Sequence, residues 1–439
     1  MPSKAFQSRP VNSSAEAPSR LARRLGTGDA VVIGLGSMIG AGVFAAFGPA
    51  ARAAGNGLLL GLALAALVAY CNATSSAQLA ALYPESGGAY AYGRKRLGGP
   101  WGFIAGWGFV IGKLASCAAM AMTFGSYAAP RFARPLAVGA VLALTAVNYL
   151  GVKKTVAVSR VIVALVLAAL AVVVVAVWAG GSADVARLWP IRGASAHGVL
   201  QSSGFLFFAF AGYARLATLG EEVVQPERTI PRAIPIALGI TLVIYAAVAV
   251  SALAGAGAVG VATAAAPLAA GVETGHLARL APAVRVGATL ASLGALLSLI
   301  AGVSRTVFAM SMNRDLPWFF SAVHPRHRIP HRAELAVGAT VAAVAAVADV
   351  RSAIGFSSFA VLVYYAVANA AALTLHPGQR RWPRGLAVVG LAGCLVIALT
   401  LPPPSILIGT GVLGVGVLVH LIRSRGTRRP ALDVRSSAR

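Results

Sequence analysis

The run Gly34-Leu35-Gly36-Ser37-Met38-Ile39-Gly40-Ala41-Gly42-Val43-Phe44 places four glycines within nine residues of an otherwise apolar stretch. Each costs a helix about 1 kcal/mol relative to alanine, so the chain is expected to unwind there and bare its amides. A second apolar stretch carries Phe208-Ala209-Phe210-Ala211-Gly212-Tyr213. Neither run holds a charged side chain, so the chemistry on offer is that of the main chain. The N-terminus of a half-helix presents free N–H groups and the positive end of its dipole, which suit a carboxylate. Unwound carbonyls and a half-helix C-terminus suit an ammonium. A zwitterion of the α-amino acid type satisfies both at once. Lys113 is the other feature with chemistry. It lies about twelve residues into its apolar stretch, about 18 Å from the nearer end at 1.5 Å per residue, too deep for its stem to reach water. An ionisable group so placed needs a cavity or a partner.

The elements that hold these groups are apolar spans. Hydrophobic residues make up 58% of the 439 and charged residues 11%. Stretches of about one bilayer crossing recur at 30–50, 57–81, 101–127, 136–150, 157–179, 198–219, 233–256, 284–308, 333–350, 354–374, 385–401 and 404–423. This predicts an all-α membrane protein with twelve transmembrane helices. The Ala/Gly-rich connection 257–283 leaves room for a surface helix. Residues 1–27 read as a polar, basic tail without a signal-peptide core, and 424–439 as a basic tail. The net charge of +25 invites a nucleic-acid reading, but its distribution argues against one. With the N-terminus inside, 27 of the 37 Lys and Arg fall on the cytoplasmic side, eight on the other, and Lys113 and Arg215 within spans. That is the positive-inside pattern, with both termini cytoplasmic and the lipid bilayer, not nucleic acid, as the partner. Cys71, Cys117 and Cys394 lie in apolar spans without a CxxC spacing and read as buried hydrophobes. No cofactor or metal is implied, and no HExxH or paired mid-span carboxylates argue for an enzyme.

Four motifs resemble the amino acid–polyamine–organocation superfamily. They are Gly36–Phe44, Tyr83-Pro84-Glu85-Ser86-Gly87-Gly88-Ala89-Tyr90, the segment from Gly220-Glu221-Glu222 to Arg232-Ala233-Ile234, and Ser304-Arg305-Thr306 through Asn313-Arg314-Asp315-Leu316-Pro317. They occur in family order across roughly residues 28–335. The resemblance implies a leucine-transporter-type fold: an inverted repeat of five helices in 28–180 and five in 181–378, with two extra helices in 379–423. Carried over, the backbone of Gly40, Ala41 and Gly42 would receive a substrate carboxylate. The carbonyls of Ile39, Phe208, Ala209 and Ala211 would receive its ammonium.

The departures from the family pattern are specific. Proton-coupled members often carry a fifth-span lysine where this chain has Val166, which makes Lys113 the substitute coupling candidate. Gly112 and Ala214 stand where members often have acids, which disfavours cationic substrates. Glu221, Glu222, Arg228, Arg305 and Asp315 resemble an inner gate of charges that pair in one conformation and part in another. Trp107, Tyr364, Tyr365 and Asn369 are candidates to line the cavity. His324, His327 and His331 read as loop histidines. The expected function is secondary transport of an α-amino acid across the cytoplasmic membrane by alternating access, with proton coupling or exchange left open. The alternatives are an amine, polyamine or cationic amino acid carrier, or a transporter-like sensor.

Overall fold

The computed structural model describes residues 25–84, 87–151, 156–189, 194–217 and 223–427. In chain order the helices are α1 (Thr27–Met38), α2 (Ala41–Ala54), α3 (Leu58–Leu82), α4 (Ala89–Leu97), α5 (Gly99–Ala128), α6 (Ala133–Tyr149), α7 (Val156–Ala179), α8 (Ala196–Phe210) and α9 (Ala214–Ala217). They continue with α10 (Pro226–Thr263), α11 (Pro267–Glu273), α12 (Ala281–Met312), α13 (His331–Val347), α14 (Val350–Leu373), α15 (Arg384–Thr400) and α16 (Pro403–Thr427). Among the described residues there is no β-strand, and the one bridge joins Leu25 to Val223.

Among the described residues, eight stretches are long and apolar enough to cross a membrane. The longest, Ala41–Leu82, is divided at Gly55–Gly57 into α2 and α3. α1 has 12 residues, α8 has 15, and α13 and α15 have 17 each, so these fall short of that length singly. Exposed leucines, isoleucines and valines such as Leu60, Val243, Leu407 and Val415 give the bundle an apolar outside. So much exposed hydrocarbon is stable facing lipid rather than water.

α5 forms the centre, with α14, α12, α4, α6 and α13 packed around it. Close approach rests on small residues, as is usual between membrane helices. A methyl added to Gly112 of α5 would meet Ala360 and Val361 of α14 at 3.0 Å. The 257–283 region differs from expectation. α10 continues through it to Thr263 with a kink at Gly257 (φ 70°). α11, anticipated at the surface, buries Leu268, Ala269 and Val272 completely, because one apolar face packs against α10, α12 and α7.

Candidate binding site at two helix breaks

Two broken helices meet in the middle of the bundle. α1 makes its last bond from the Ile39 N–H to the Leu35 carbonyl (2.7 Å). Ile39 (φ −81°, ψ 45°) and Gly40 (φ −96°, ψ −142°) then leave helical geometry, and α2 restarts at Ala41. No side chain caps α2, so its first-turn amides, including those of Ala41 and Gly42, remain available to an anion. The α1–α2 line runs parallel to α10: Gly34 lies by Ala237, Met38 by Tyr245 and Arg52 by Ala262. α8 and α9 run the opposite way, with Gly198 by Ala53, Ala209 on Gly42, Gly212 on Ser37 and Leu216 by Gly34. The two interruptions are therefore antiparallel and at one level.

Their contact is main chain on main chain. A Cβ on Gly42 would stand 2.7 Å from the Ala209 Cα, and one on Gly212 only 2.1 Å from the Ser37 carbonyl oxygen. Glycine is needed at both positions for close approach. The expected residues Ile39, Gly40, Ala41, Gly42, Phe208, Ala209 and Ala211 are all brought together, and all are buried.

The second stretch, whose carbonyls the ammonium reading requires to be bared around Gly212, differs from an unwound segment. Ala211–Tyr213 form a single 3₁₀ turn between α8 and α9, and the Ala211 N–H still bonds the Phe207 carbonyl. One glycine is not enough to open the chain here. Phe210 and Tyr213, both fully buried, pin the backbone on either side. The helix tightens rather than unwinds, which still shifts its bonding pattern and leaves carbonyls for other donors.

Side chains take up those carbonyls. The Tyr245 hydroxyl of α10 lies 2.6 Å from the Met38 oxygen and 3.1 Å from the Ala209 oxygen, so it ties the two breaks to each other. The Lys113 amine of α5 reaches the Ala211 oxygen at 3.5 Å, and the Tyr365 hydroxyl of α14 reaches it at 3.4 Å. Lys113 also lies 6.0 Å from the centre of the Phe109 ring. The amine thus stands at a carbonyl expected to receive a substrate ammonium. Of the other aromatic and amide candidates only Tyr365 reaches the site. Trp107 donates to Val412 of α16 at 3.0 Å, Tyr364 accepts the Ala89 N–H at 3.0 Å, and Asn369 bonds Asn72 at 2.6 Å.

Sequence reasoning missed Tyr245. Its signal was a lone tyrosine inside an apolar span, since a buried phenol must find a hydrogen-bond partner. Tyr245→Phe should loosen the pairing of the breaks by about 1 kcal/mol. A lower thermal midpoint together with slower uptake would register it, and unchanged values would remove Tyr245 from the site.

The charge network at the α1 end is arranged differently from the expected gate. Arg228 and Arg305 are exposed, while Glu221 and Glu222 lie outside the described residues. Asp315, buried just past α12, pairs not with these arginines but with Arg94 of α4 at 2.7 Å. It also accepts the Tyr90 hydroxyl at 2.6 Å, and His420 Nδ1 stands 3.6 Å away. α4 packs on α5 and α14, and from there Arg94 reaches Asp315 just past α12, the partner that sequence distance concealed. Burial, and then the Asp315 carboxylate, push the Tyr90 phenol well above its usual range and keep it a donor. Arg160 of α7 pairs with Asp29 in the first turn of α1, and the Val224 N–H bonds the Leu25 carbonyl at 2.9 Å. These contacts tie α1 to α7 and the segment before α1 to the segment before α10.

Asp315→Asn should destabilise the fold by about 1–2 kcal/mol. Charge-assisted bonds are worth about 1.5–3 kcal/mol, less a discount because the Arg94 side chain is 41% exposed. A fall in the thermal midpoint of the detergent-solubilised protein checks this. His324, His327 and His331 do cluster, with ring centres 4.7 and 5.5 Å from that of His324. His324 Nδ1 accepts two loop N–H groups, and the described residues contain no metal-holding group of His, Cys, Asp or Glu.

The amino acid permease family model matches residues 29–402, and so spans both breaks and the Arg94–Asp315 pair. The chain belongs to the amino acid permease family. An uncharacterized transporter of Mycobacterium tuberculosis is 61% identical over 94% of each chain. A branched-chain amino acid permease of Bacillus subtilis is 27% identical, with 92% of this chain and 94% of that one covered. A chloroplastic cationic amino acid transporter of Arabidopsis thaliana is 28% identical over 78% of this permease and 64% of its own length. This permease is a multi-pass membrane protein of a transporter family. The substrates in the relatives' names differ, so they do not select one.

Proposed function

We propose that this permease is a secondary transporter that moves an α-amino acid across the cytoplasmic membrane by alternating access. Both termini face the cytoplasm, and twelve crossings form a five-plus-five inverted repeat with α15 and α16 added. The observation that carries this reading is the antiparallel meeting of the two interrupted helices, Gly42 on Ala209 and Gly212 on Ser37. In the proposed complex the amides of Gly40, Ala41 and Gly42 hold the substrate carboxylate. The carbonyls of Ile39, Phe208, Ala209 and Ala211 hold its ammonium. The breaks must part slightly to admit it, and rocking of one helix group against the other would provide that.

Lys113 is proposed as the coupling group. Its amine stands at the Ala211 carbonyl and would yield that oxygen to a substrate ammonium. Two positive charges cannot share one carbonyl cheaply, so proton release from Lys113 would accompany binding. The Asp29–Arg160 and Arg94–Asp315 pairs serve as the closed cytoplasmic gate, with Glu221, Glu222, Arg228 and Arg305 as further candidate members. Counterflow of radiolabelled amino acids in proteoliposomes tests the reading. Exchange of at least one α-amino acid supports transport. Binding without exchange would make the protein a sensor, and no binding of any of the twenty would sink the proposal.

A further inference from the structure

A cavity of about 270 Å³ lies beside α2, on the side of the first break away from the closed gate. It begins at Phe44 and Ala45, about one turn beyond Gly40, and is bounded by Tyr127 of α5 and by Pro267 at the start of α11. The Tyr127 hydroxyl donates to the Phe44 carbonyl at 3.1 Å, and the two rings, both lining the cavity, meet edge-on at 5.7 Å. Because α1–α2 runs parallel to α10, this cavity opens at the end opposite the α1 N-terminus.

The charges in it are unbalanced. Arg52, Arg351 and Asp349 line it. The Arg52 guanidinium is tied to the Ala262 carbonyl at 2.9 Å, and that of Arg351 lies 5.6 Å from the Phe205 ring centre. Both contacts position the cation without neutralising it. Asp349 is spoken for: it caps α14, accepting the Ser352 N–H at 3.0 Å and the Ser352 hydroxyl at 2.7 Å. Burial alone would raise its carboxyl. The Ser352 bonds and the neighbouring Arg351 outweigh that and hold it below the usual carboxylate range, so it remains a single negative charge. Two cations against one anion leave the cavity positive, and Lys113 adds a third cation at the breaks beyond.

We infer that this cavity is the entry vestibule, and that Arg52 and Arg351 make it a charge filter that admits neutral or acidic amino acids and rejects basic ones. The inference rests on the transport reading above and narrows its substrate class. A unit charge beside a partly screened guanidinium feels an energy large enough for discrimination on the order of tenfold. A side chain without charge feels no comparable penalty, and a second carboxylate gains from the same field.

The test uses the full-length protein in proteoliposomes, with radiolabelled leucine, glutamate and lysine supplied at equal concentration. Leucine or glutamate uptake should exceed lysine uptake by about tenfold. The Arg52→Glu, Arg351→Glu double variant should shrink that ratio to about threefold or less, and added salt should compress it in the wild type. Arg351→Gln, a milder change, should shift the ratio the same way if the double variant fails to fold. Lysine uptake matching that of leucine in the wild type would overturn the filter while leaving the transport reading intact. A ratio untouched in a folded charge variant would do the same. Failure of all twenty amino acids to bind would bring down both.

Discussion

Gly212→Ala should reduce amino acid uptake by about tenfold or more in a protein that still reaches the membrane. The added methyl would stand 2.1 Å from the Ser37 carbonyl oxygen and 2.7 Å from the Met38 nitrogen. These are backbone atoms that cannot rotate aside. Overpacking of this kind costs about 1–3 kcal/mol, and each 1.4 kcal/mol is a factor of ten in rate or affinity. The strain falls on the contact that aligns the two breaks, so transport should suffer more than fold. Gly239→Ala in α10 is the control, because a methyl there meets nothing within 4 Å. It should keep wild-type uptake and match or exceed wild-type thermal stability. Equal uptake by both variants would show that the breaks need not touch, and the proposed site would go with them.

Lys113→Met should separate stability from transport. Lys113 is 6% exposed, and its contacts are one carbonyl oxygen at 3.5 Å and an aromatic ring, with no carboxylate in reach among the described residues. Burying a charge with so little compensation is costly. Methionine keeps the length of the stem and removes the charge, so the thermal midpoint should hold or rise. Uptake driven by an imposed pH gradient should nevertheless fall by about tenfold, the size expected for loss of one charge-assisted contact, and its dependence on pH should flatten. A stable variant with wild-type pH-driven uptake would assign Lys113 a purely structural role and leave the coupling group to be found elsewhere.

Much of this protein was legible from one dimension. Membrane character follows from composition, since runs of about 20 apolar residues have no stable home in water. The first break follows from glycine density: four in nine residues lower helix stability enough for the chain to part at Ile39 and Gly40. Lys113 was marked by its depth alone, because a long-stemmed cation that cannot reach water must contact something internal. The family motifs marked the same stretches.

Pairing across the bundle was not legible, and the reason is physical. A helix repeats its faces every 3.6 residues, so sequence restricts which residues share a face but not which neighbour that face meets. Asp315 meets Arg94, 221 positions away, because α4 and α12 both pack against α5. Tyr245 joins the two breaks because α10 lies alongside both. The second break tightens into a 3₁₀ turn because buried aromatics hold a lone glycine in place, an effect of packing and not of propensity. The sequence by itself determined that the chain crosses a membrane, where its first helix breaks and which cation lies deep. Only the tertiary structure decided that the breaks touch and which carbonyl that cation meets. Propensity and hydropathy act over a few neighbouring residues, whereas these contacts arise from the close packing of helices far apart in the chain.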